Sequence, residues 1–209
     1  MQRRAVLSGI ASGVPIMAGC LGTDANEGKT ADDSIMYEIE AEINSFEPGY
    51  PLDATVKVVS HATEATPARI KIGLTNAGDT TRRIALGATP PFTAHRAERV
   101  DGNAVAHLAP DSRRNFGLVH VNDDVSPGEN PSAPIDGCWI VEGTGMDYIA
   151  TKPPLEPGET LSDTYSVFAN ADNEDCLPAG TYRFEETSAD FGTSSPWVID
   201  VVVKESNGS

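Results

Sequence analysis

The sequence lacks the short motifs by which many enzymes and metal proteins are recognised. It contains no GxSxG, HExxH or SxxK segment, so no nucleophile elbow, zincin helix or serine–lysine pair can be identified. It has no CxxC pair, and all four histidines precede the second of its three cysteines. We therefore expect no catalytic residue, no metal and no cofactor, and we predict that the protein is not an enzyme.

Basic residues are also scarce. Lysine and arginine together number 15 against 31 aspartates and glutamates, which gives a formal net charge of −16. The acidic residues are scattered through apolar segments and nothing resembles a clustered basic face, so a nucleic-acid partner is not expected. The acidic excess resembles that of proteins from salt-loving archaea. At about 1 M salt the Debye length is roughly 3 Å, which screens repulsion across such a surface.

Residues 1–19 contain no acidic residue and have the pattern of an export segment. Their apolar stretch is too short, and too interrupted by glycine and proline, to span a bilayer as a helix. The run RRAVL resembles a twin-arginine export signal. Ala18 and Gly19 before Cys20 resemble a lipobox, although Met17 stands where that pattern usually has leucine. The resemblance implies lipidation of Cys20 and a place on the outer face of the cell membrane. The alternative is a soluble exported protein with an unmodified cysteine.

The chain after this segment divides into a tether, a domain and a short tail. Residues 20–34 are predicted to be a flexible tether, because they carry one large apolar side chain after the cysteine and no aromatic residue. As a flexible coil the tether would span roughly 20 Å. Residues 35–204 are predicted to form a single domain, and residues 205–209 a disordered tail.

Two further cysteines, Cys138 and Cys176, form an even pair in a chain with an export segment. An oxidising compartment permits a disulfide between them, which would stabilise the fold by about 4 kcal/mol in the chain-entropy model. A metal site is the alternative, and the spacing opposes it. CLPAGTY (residues 176–182) is faintly similar to the cysteine loop of blue-copper domains, but neither histidine nor methionine follows the cysteine.

Period-two alternation of apolar and polar residues indicates an all-β fold. It is strongest in residues 34–43, 68–76 and 197–204. Weaker strand candidates are residues 54–60, 82–87, 116–121, 138–142, 161–168 and 181–187. Turn segments rich in glycine and proline separate them, which favours an immunoglobulin-like antiparallel β-sandwich with a long insertion. Trp139 and Trp197 are predicted to pack in its core.

Three landmarks add a family resemblance to this prediction. LTNAGD (74–79), LEPGETLSDTYSV (155–167) and LPAGTYRFE (177–185) resemble, in this order, immunoglobulin-like modules and in particular the intracellular proteinase inhibitor domain of Bacillus. GCW (137–139) and CLPAGTYRFE (176–185) are similar to segments of haloarchaeal lipoproteins. The resemblance covers about residues 68–203 and implies the sandwich fold. Unlike antibody domains, the chain has Tyr182 after the second cysteine rather than before it.

The domain is longer than the roughly 100 residues of a minimal sandwich, and the excess lies between residues 88 and 135. This predicted insertion holds three of the four histidines and many of the arginines. One hypothesis is that it forms a recognition surface whose arginines meet carboxylate or phosphate groups. The candidate residues are His95, Arg96, Arg99, Arg113, Arg114 and His120. The alternative, which we favour for the arginines, is that they pair with the protein's own carboxylates.

The expected function is noncatalytic binding at the cell surface, to a protein or an envelope polymer. A peptidase inhibitor with the loop SPGENPSAPIDG (126–137) as bait is the alternative, because its prolines would lower the ordering cost of docking. A hydrolase built on the insertion is a third and weaker possibility. The acidic run at 172–175 could offer oxygen ligands to calcium, but it lacks the order of an EF-hand loop and is better explained as an exposed turn.

Overall fold

A computed structural model describes residues 34–113, 115–121, 129–147, 149, 151–187 and 196–204 of the protein. Within these ranges the chain forms strands and turns and no α-helix. The strands are β1 (Ile35–Tyr37), β2 (Ile39–Ser45), β3 (Leu52–Ser60), β4 (Ala62–Thr63), β5 (Ala68–Asn76), β6 (Arg82–Arg83), β7 (Arg96–Glu98), β8 (Val105–Pro110), β9 (Phe116–Val119), β10 (Ile140–Val141), β11 (Gly143–Met146), β12 (Pro154–Leu155), β13 (Thr160–Asn170), β14 (Gly180–Glu186) and β15 (Trp197–Val203). The predicted export segment, the tether up to residue 33 and the predicted tail lie outside the described residues.

The larger sheet has the strand order β3-β5-β13-β8-β7, with antiparallel neighbours, and β10 adds to β13 in the parallel direction. β5 pairs with β3 on one side and β13 on the other. Its side chains alternate between the two faces of the sheet, because Ile70 and Ile72 are fully buried whereas Lys71 between them is exposed. The β5–β13 ladder runs from Thr75 opposite Thr160 to Ala68 opposite Val167.

A smaller sheet has the order β14-β15-β2, and all of its strand pairs are antiparallel. β15 is covered on both faces, and even its acidic residue Asp200 is only 3% exposed. Two nitrogens of Arg183 donate to the carboxylate of Asp200 at 2.9 and 2.8 Å, and Asn44 donates to it at 2.9 Å. The buried charge is therefore fully hydrogen-bonded, as its stability requires.

Three two-stranded ribbons complete the fold: β1–β4, β6–β12 and β9–β11. The β6–β12 ribbon is fastened by the side chain of Asn76, which is fully buried and donates to the carbonyl oxygens of Thr80 and Leu155 at 2.8 and 2.9 Å. The β9–β11 ribbon has one covered face, where Phe116 and Leu118 are 6% and 4% exposed. Its other face forms part of the candidate site described below.

One hydrophobic core connects the sheets and ribbons. Trp139 and Trp197 are 1% and 0% exposed, which confirms their predicted role in packing. The ring of Phe92 meets that of Trp197 edge-on, with 5.0 Å between the centroids. The hydroxyl of Tyr165 accepts a hydrogen bond from the Phe92 amide at 3.2 Å and donates to the Phe92 carbonyl at 2.9 Å. The predicted disulfide between Cys138 and Cys176 is present, with the two Cα atoms 5.5 Å apart.

Most strands lie where the sequence predicts them. The prediction of an all-β, largely antiparallel fold is confirmed. The first strongly alternating segment is divided into β1 and β2 at Glu38, and its first apolar residue, Ile35, is 50% exposed. The predicted insertion at 88–135 needs a correction in its first half. β7 and β8 lie in the larger sheet, and all six residues of β8 are buried. This part of the chain is core and not an addition to the surface.

Candidate functional site

The structure removes His95 from the predicted recognition surface. His95 is 3% exposed, and its Nδ1 lies 2.9 Å from the carbonyl oxygen of Leu108. Because a carbonyl can only accept, Nδ1 carries the proton and Nε2 accepts from the Thr89 hydroxyl at 2.6 Å. Burial lowers the pKa of His95 to about 4. His95 is thus a neutral, fully bonded core residue with no role at a surface.

His107, on β8, lies in the same part of the core and is 2% exposed. Burial, and then the charge of Arg96, lower its pKa to about 4. Its Nε2 is 3.1 Å from the side-chain amide nitrogen of Asn170. Because the amide nitrogen can only donate, Nε2 of His107 is the acceptor. Both histidines are therefore uncharged at neutral pH.

Two of the predicted arginines pair with the protein's own acceptors. Arg96 lies 3.0 Å from the carboxylate of Glu98 on the same strand, and both side chains are exposed. The Nε of Arg99 lies 3.2 Å from the carboxylate of Asp101, and its Nη1 donates to the carbonyl of Ala179 at 3.4 Å. This arrangement is the alternative that the sequence left open, and these two arginines are accounted for by the fold.

Arg113 has a different position, just before β9. Its guanidinium donates to the side-chain oxygen of Asn130 and lies 5.7 Å from the centroid of the Phe116 ring. Burial lowers the pKa of Arg113, which the carboxylates of Asp111 and Asp163 partly oppose. Arg114 lies outside the described residues. Arg113 is thus the predicted arginine that stands beside the β9–β11 ribbon.

His120 follows β9 at its other end. It lines a cavity of about 230 Å³ together with Val121 and residues 131–135. Its two ring nitrogens are covered and form no hydrogen bond within the described part of the chain. Arg113 and His120 therefore stand at the two ends of β9. The proline-containing loop bonds to Arg113 through Asn130, and its residues 131–135 line the same cavity as His120.

The outward face of the ribbon is formed mostly by glycine. Gly143 lies opposite Val119 and Gly145 opposite Gly117, so these four residues share one face, called here the β9–β11 face. No atom of the described residues lies within 4 Å of where a Cβ would stand on any of the three glycines, and none of the three has positive φ. Neither packing nor backbone conformation requires glycine there. Since glycine weakens a strand, its presence is typical of a place where a ligand or another backbone approaches closely.

Exposed apolar side chains concentrate around the same ribbon. Seven large hydrophobic residues are exposed in the described part of the chain. Four of these are on the ribbon or just beyond its ends: Val119 (48%), Val121 (38%), Met146 (39%) and Ile149 (43%). Scattered apolar residues are ordinary, but a local concentration marks an interaction surface.

Two depressions adjoin the face and share Met146 and Asp147. The first, of about 480 Å³, lies over β9 and the end of β11, with Arg113 and Asn115 at its margin. The second, of about 430 Å³, continues from Met146 to the end of β14 and includes Glu185 and Glu186. The face and the two depressions form one continuous candidate surface that carries both apolar and charged groups.

The loop beside β9 has a rigid base. Residues 135 and 138 exchange two backbone hydrogen bonds, at 2.8 and 2.9 Å. The two residues between them, Asp136 and Gly137, both have positive φ, as a type I′ turn requires. The disulfide fixes Cys138 at the end of this turn. The described part of the predicted bait loop, residues 129–137, is therefore held at its foot; residues 126–128 lie outside the described residues.

Among the described residues, no three histidine, cysteine, aspartate or glutamate residues are grouped so as to hold a metal ion. In the acidic run at 172–175, the side chain of Asn173 bonds to the backbone of Val105 and Cys176. No described segment is a helix long and apolar enough to cross a bilayer.

No protein-family model matches the chain, and no curated protein or solved structure is significantly similar to it. Of the residues that form the candidate surface, the sequence analysis identified Arg113 and His120 but missed the glycines and Met146. The alternating glycines of EGTGM (142–146) were the available signal, since glycine at every second position of a strand leaves one face bare.

Proposed function

We propose that the protein is a noncatalytic binding module at the outer cell surface, and that the β9–β11 face contacts its partner, a protein or an envelope polymer. The observation that carries the proposal is the face itself. Three glycines without an internal reason lie beside exposed Val119, in the region where exposed apolar side chains concentrate. An acidic, salt-screened surface elsewhere would keep the protein soluble while this face binds.

The proposed location rests on the first 34 residues. We infer export through the twin-arginine-like segment, lipidation of Cys20, and a tether that holds the domain clear of the lipid headgroups. The lipid, together with the acidic composition, fits a salt-adapted cell envelope. Replacement of Cys20 by serine should release the protein from the membrane fraction into the medium, with the domain unchanged.

We also propose that the two larger sheets form an immunoglobulin-like sandwich. Its support is the shared core of β5, β13 and β8 with β14 and β15, and the contact made by Tyr182. The Tyr182 hydroxyl donates at 2.8 Å to the carbonyl of Pro178, four residues upstream. A tyrosine that bonds back to the chain before its strand is a recurrent feature of such sandwiches.

The binding proposal can be tested on intact cells at native salt. A tagged copy is crosslinked, and the captured molecules are identified by mass spectrometry and glycan analysis. The proposal predicts a specific envelope partner that the Val119→Glu variant fails to capture. Capture that is equal for the wild type and this variant would assign the interaction to another part of the molecule.

A peptidase inhibitor is the second candidate, and the base of the loop at 129–137 favours it. A type I′ turn next to a disulfide pre-organises the loop, which lowers the entropic cost of docking into a protease cleft. The purified protein should then inhibit proteases secreted by the same cells. Ala133→Trp, in the exposed part of the loop, should reduce that inhibition, and unchanged inhibition would dismiss the loop as bait.

A further inference from the structure

The second depression next to the β9–β11 face combines an apolar floor with a one-sided charge. Its apolar residues are Leu86, Ala88, Ala94, Met146 and Ile149. The described residues that line it include three carboxylates, those of Asp147, Glu185 and Glu186, and no basic side chain. We call this depression the acidic groove. Its volume of about 430 Å³ lies within the range of roughly 300–1,000 Å³ that is usual for binding clefts.

The three carboxylates have different positions. Glu186 is 3% exposed and accepts a hydrogen bond from the backbone amide of Thr93 at 2.6 Å, so it contributes to the structure of the groove wall. Asp147 and Glu185 are exposed, and neither forms an ion pair between described residues, although Glu185 interacts electrostatically with Arg183 on the same strand. Two carboxylates are therefore directed at solvent beside an apolar floor.

A side chain that matches this groove must carry a positive head on an apolar stem. Lysine and arginine have this construction, because their methylene groups cover apolar surface while the charged end stays near water. A bare cation would gain nothing from the apolar floor. A neutral polymer would leave the two carboxylates without partners, at a desolvation cost.

We propose that the acidic groove binds a basic segment of a partner protein, with lysine or arginine stems on the apolar floor and their heads on Asp147 and Glu185. This inference rests on the proposed binding function, and it selects a protein rather than a polymer as partner. The groove shares Met146 and Asp147 with the depression that lies over the β9–β11 face, so one partner can contact both.

High salt restricts the contacts that can hold a basic ligand in the groove. At about 1 M salt, charges farther apart than roughly 3 Å no longer attract appreciably. The overall negative charge of the surface then does not attract a basic ligand. Only ion pairs in direct contact, combined with burial of apolar groups, still contribute to binding. The stem of the basic residue should accordingly matter as much as its charge.

The test uses two end-capped peptides, one alternating lysine with serine and the other alternating 2,4-diaminobutyrate with serine, at about pH 6.5, where the side-chain amines of both peptides are protonated and their charges are equal. Binding of each labelled peptide to the full domain is measured by fluorescence anisotropy at about 1 M KCl. The lysine peptide should bind about tenfold more tightly, because only its stem reaches across the floor. Equal affinities for the two peptides would overturn the proposal.

Matched variants locate the site. D147N combined with E185Q should weaken binding of the lysine peptide about tenfold, whereas D53N combined with E64Q should change it less than about twofold. Both pairs remove two exposed carboxylates, but the second pair lies outside the groove. Equal losses in the two variants would reveal unspecific charge attraction and contradict the proposal.

The outcomes also separate this inference from the proposed function. Suppose that Val119→Glu abolishes capture on cells, whereas the D147N and E185Q variant binds the lysine peptide and captures the partner as well as the wild type does. The proposed binding function is then supported, and the basic partner is rejected. If the groove variant instead abolishes self-association measured by sedimentation, the occupant is a second copy of the chain, which also rejects the proposal. If the groove binds the lysine peptide as predicted but no partner is captured, the cell-surface function fails alone.

Discussion

The side chain of Arg99 lies directly across Gly180. A Cβ added to Gly180 would stand 2.7 Å from Cδ of Arg99, and the φ of Gly180 is +147°. The backbone conformation thus favours glycine in the LPAGTY segment, and a Cβ at this position would also force the side chain of Arg99 to shift. The sequence analysis made Arg99 a candidate ligand-binding residue. In the structure its side chain contacts Ala179, before β14, and Asp101, in the turn after β7.

Substitution of Gly180 by alanine should therefore destabilise the protein by roughly 1–3 kcal/mol, because it combines an unfavourable φ with a clash. Gly145→Ala is the matched control, since its Cβ meets open space and its φ is ordinary. It should leave the free energy of unfolding unchanged or slightly raised. Denaturant unfolding of both variants measures the difference, and equal losses would show that the contact with Arg99 does not constrain residue 180.

Two buried tyrosines should respond in opposite ways to loss of the hydroxyl. Tyr165→Phe leaves the amide of Phe92 without its acceptor and should lower the free energy of unfolding by about 1–3 kcal/mol. The Tyr37 hydroxyl is buried and has no hydrogen-bond partner in the described ranges. Tyr37→Phe should therefore be neutral or stabilising. Thermal melts of the two variants decide this, and a greater loss for Tyr37→Phe would contradict the assigned bonding.

The core histidines should make stability depend on pH. Both have pKa values of about 4 in the folded protein, against an ordinary value of 6.5. Between these pH values the unfolded chain binds more protons than the folded one, so stability is full above about pH 6.5 and falls as the pH is lowered towards 4. The loss should reach about 3 kcal/mol for each histidine.

The variant His107→Gln separates this effect from the titration of the many carboxylates. It removes one of the two histidine contributions and should make stability fall less steeply between pH 6.5 and 4. Chemical unfolding at several pH values provides the comparison. Identical slopes for the wild type and the variant would mean that His107 is not neutral in the folded state.

The disulfide should contribute about 4 kcal/mol to stability, because it closes a separation of 38 residues in the unfolded chain. The double replacement of Cys138 and Cys176 by serine should lower the unfolding free energy by about this amount. Cys20→Ser is the matched control and should have no effect on the domain's unfolding. A double variant as stable as the wild type would assign the pair no structural role.

The alternation of β5 could be predicted from the sequence, whereas the complete burial of β8 could not. β5 alternates because Arg69 and Lys71 face away from the core while Ile70 and Ile72 face it, and this alternation is visible in the sequence. β8 is buried at all six positions, including His107, so it shows no alternation. Because this pattern is missing, residues 88–110 were predicted to belong to an insertion. His95 lies within them and was therefore predicted to be a surface residue.

The candidate surface was only partly predictable for a related reason. Arg113 and His120 were selected by residue type, and residue type does not distinguish them from Arg99. The environment of Arg99 depends on Gly180, which lies 81 positions away in the chain. The acidic groove joins the ends of β11 and β14, and such contacts between distant segments cannot be read from local patterns. The glycines of β11 were visible, but their open surroundings were not.

The most direct test of the account is the amount of partner captured on intact cells by Val119→Glu compared with Val59→Glu. Both valines are about half exposed, at 48% and 52%, and only Val119 belongs to the β9–β11 face. The account predicts that Val119→Glu loses nearly all capture while Val59→Glu keeps it, with both variants equally stable. Retained capture by Val119→Glu, or an equal loss in both variants, would contradict the assignment of this face as the binding surface.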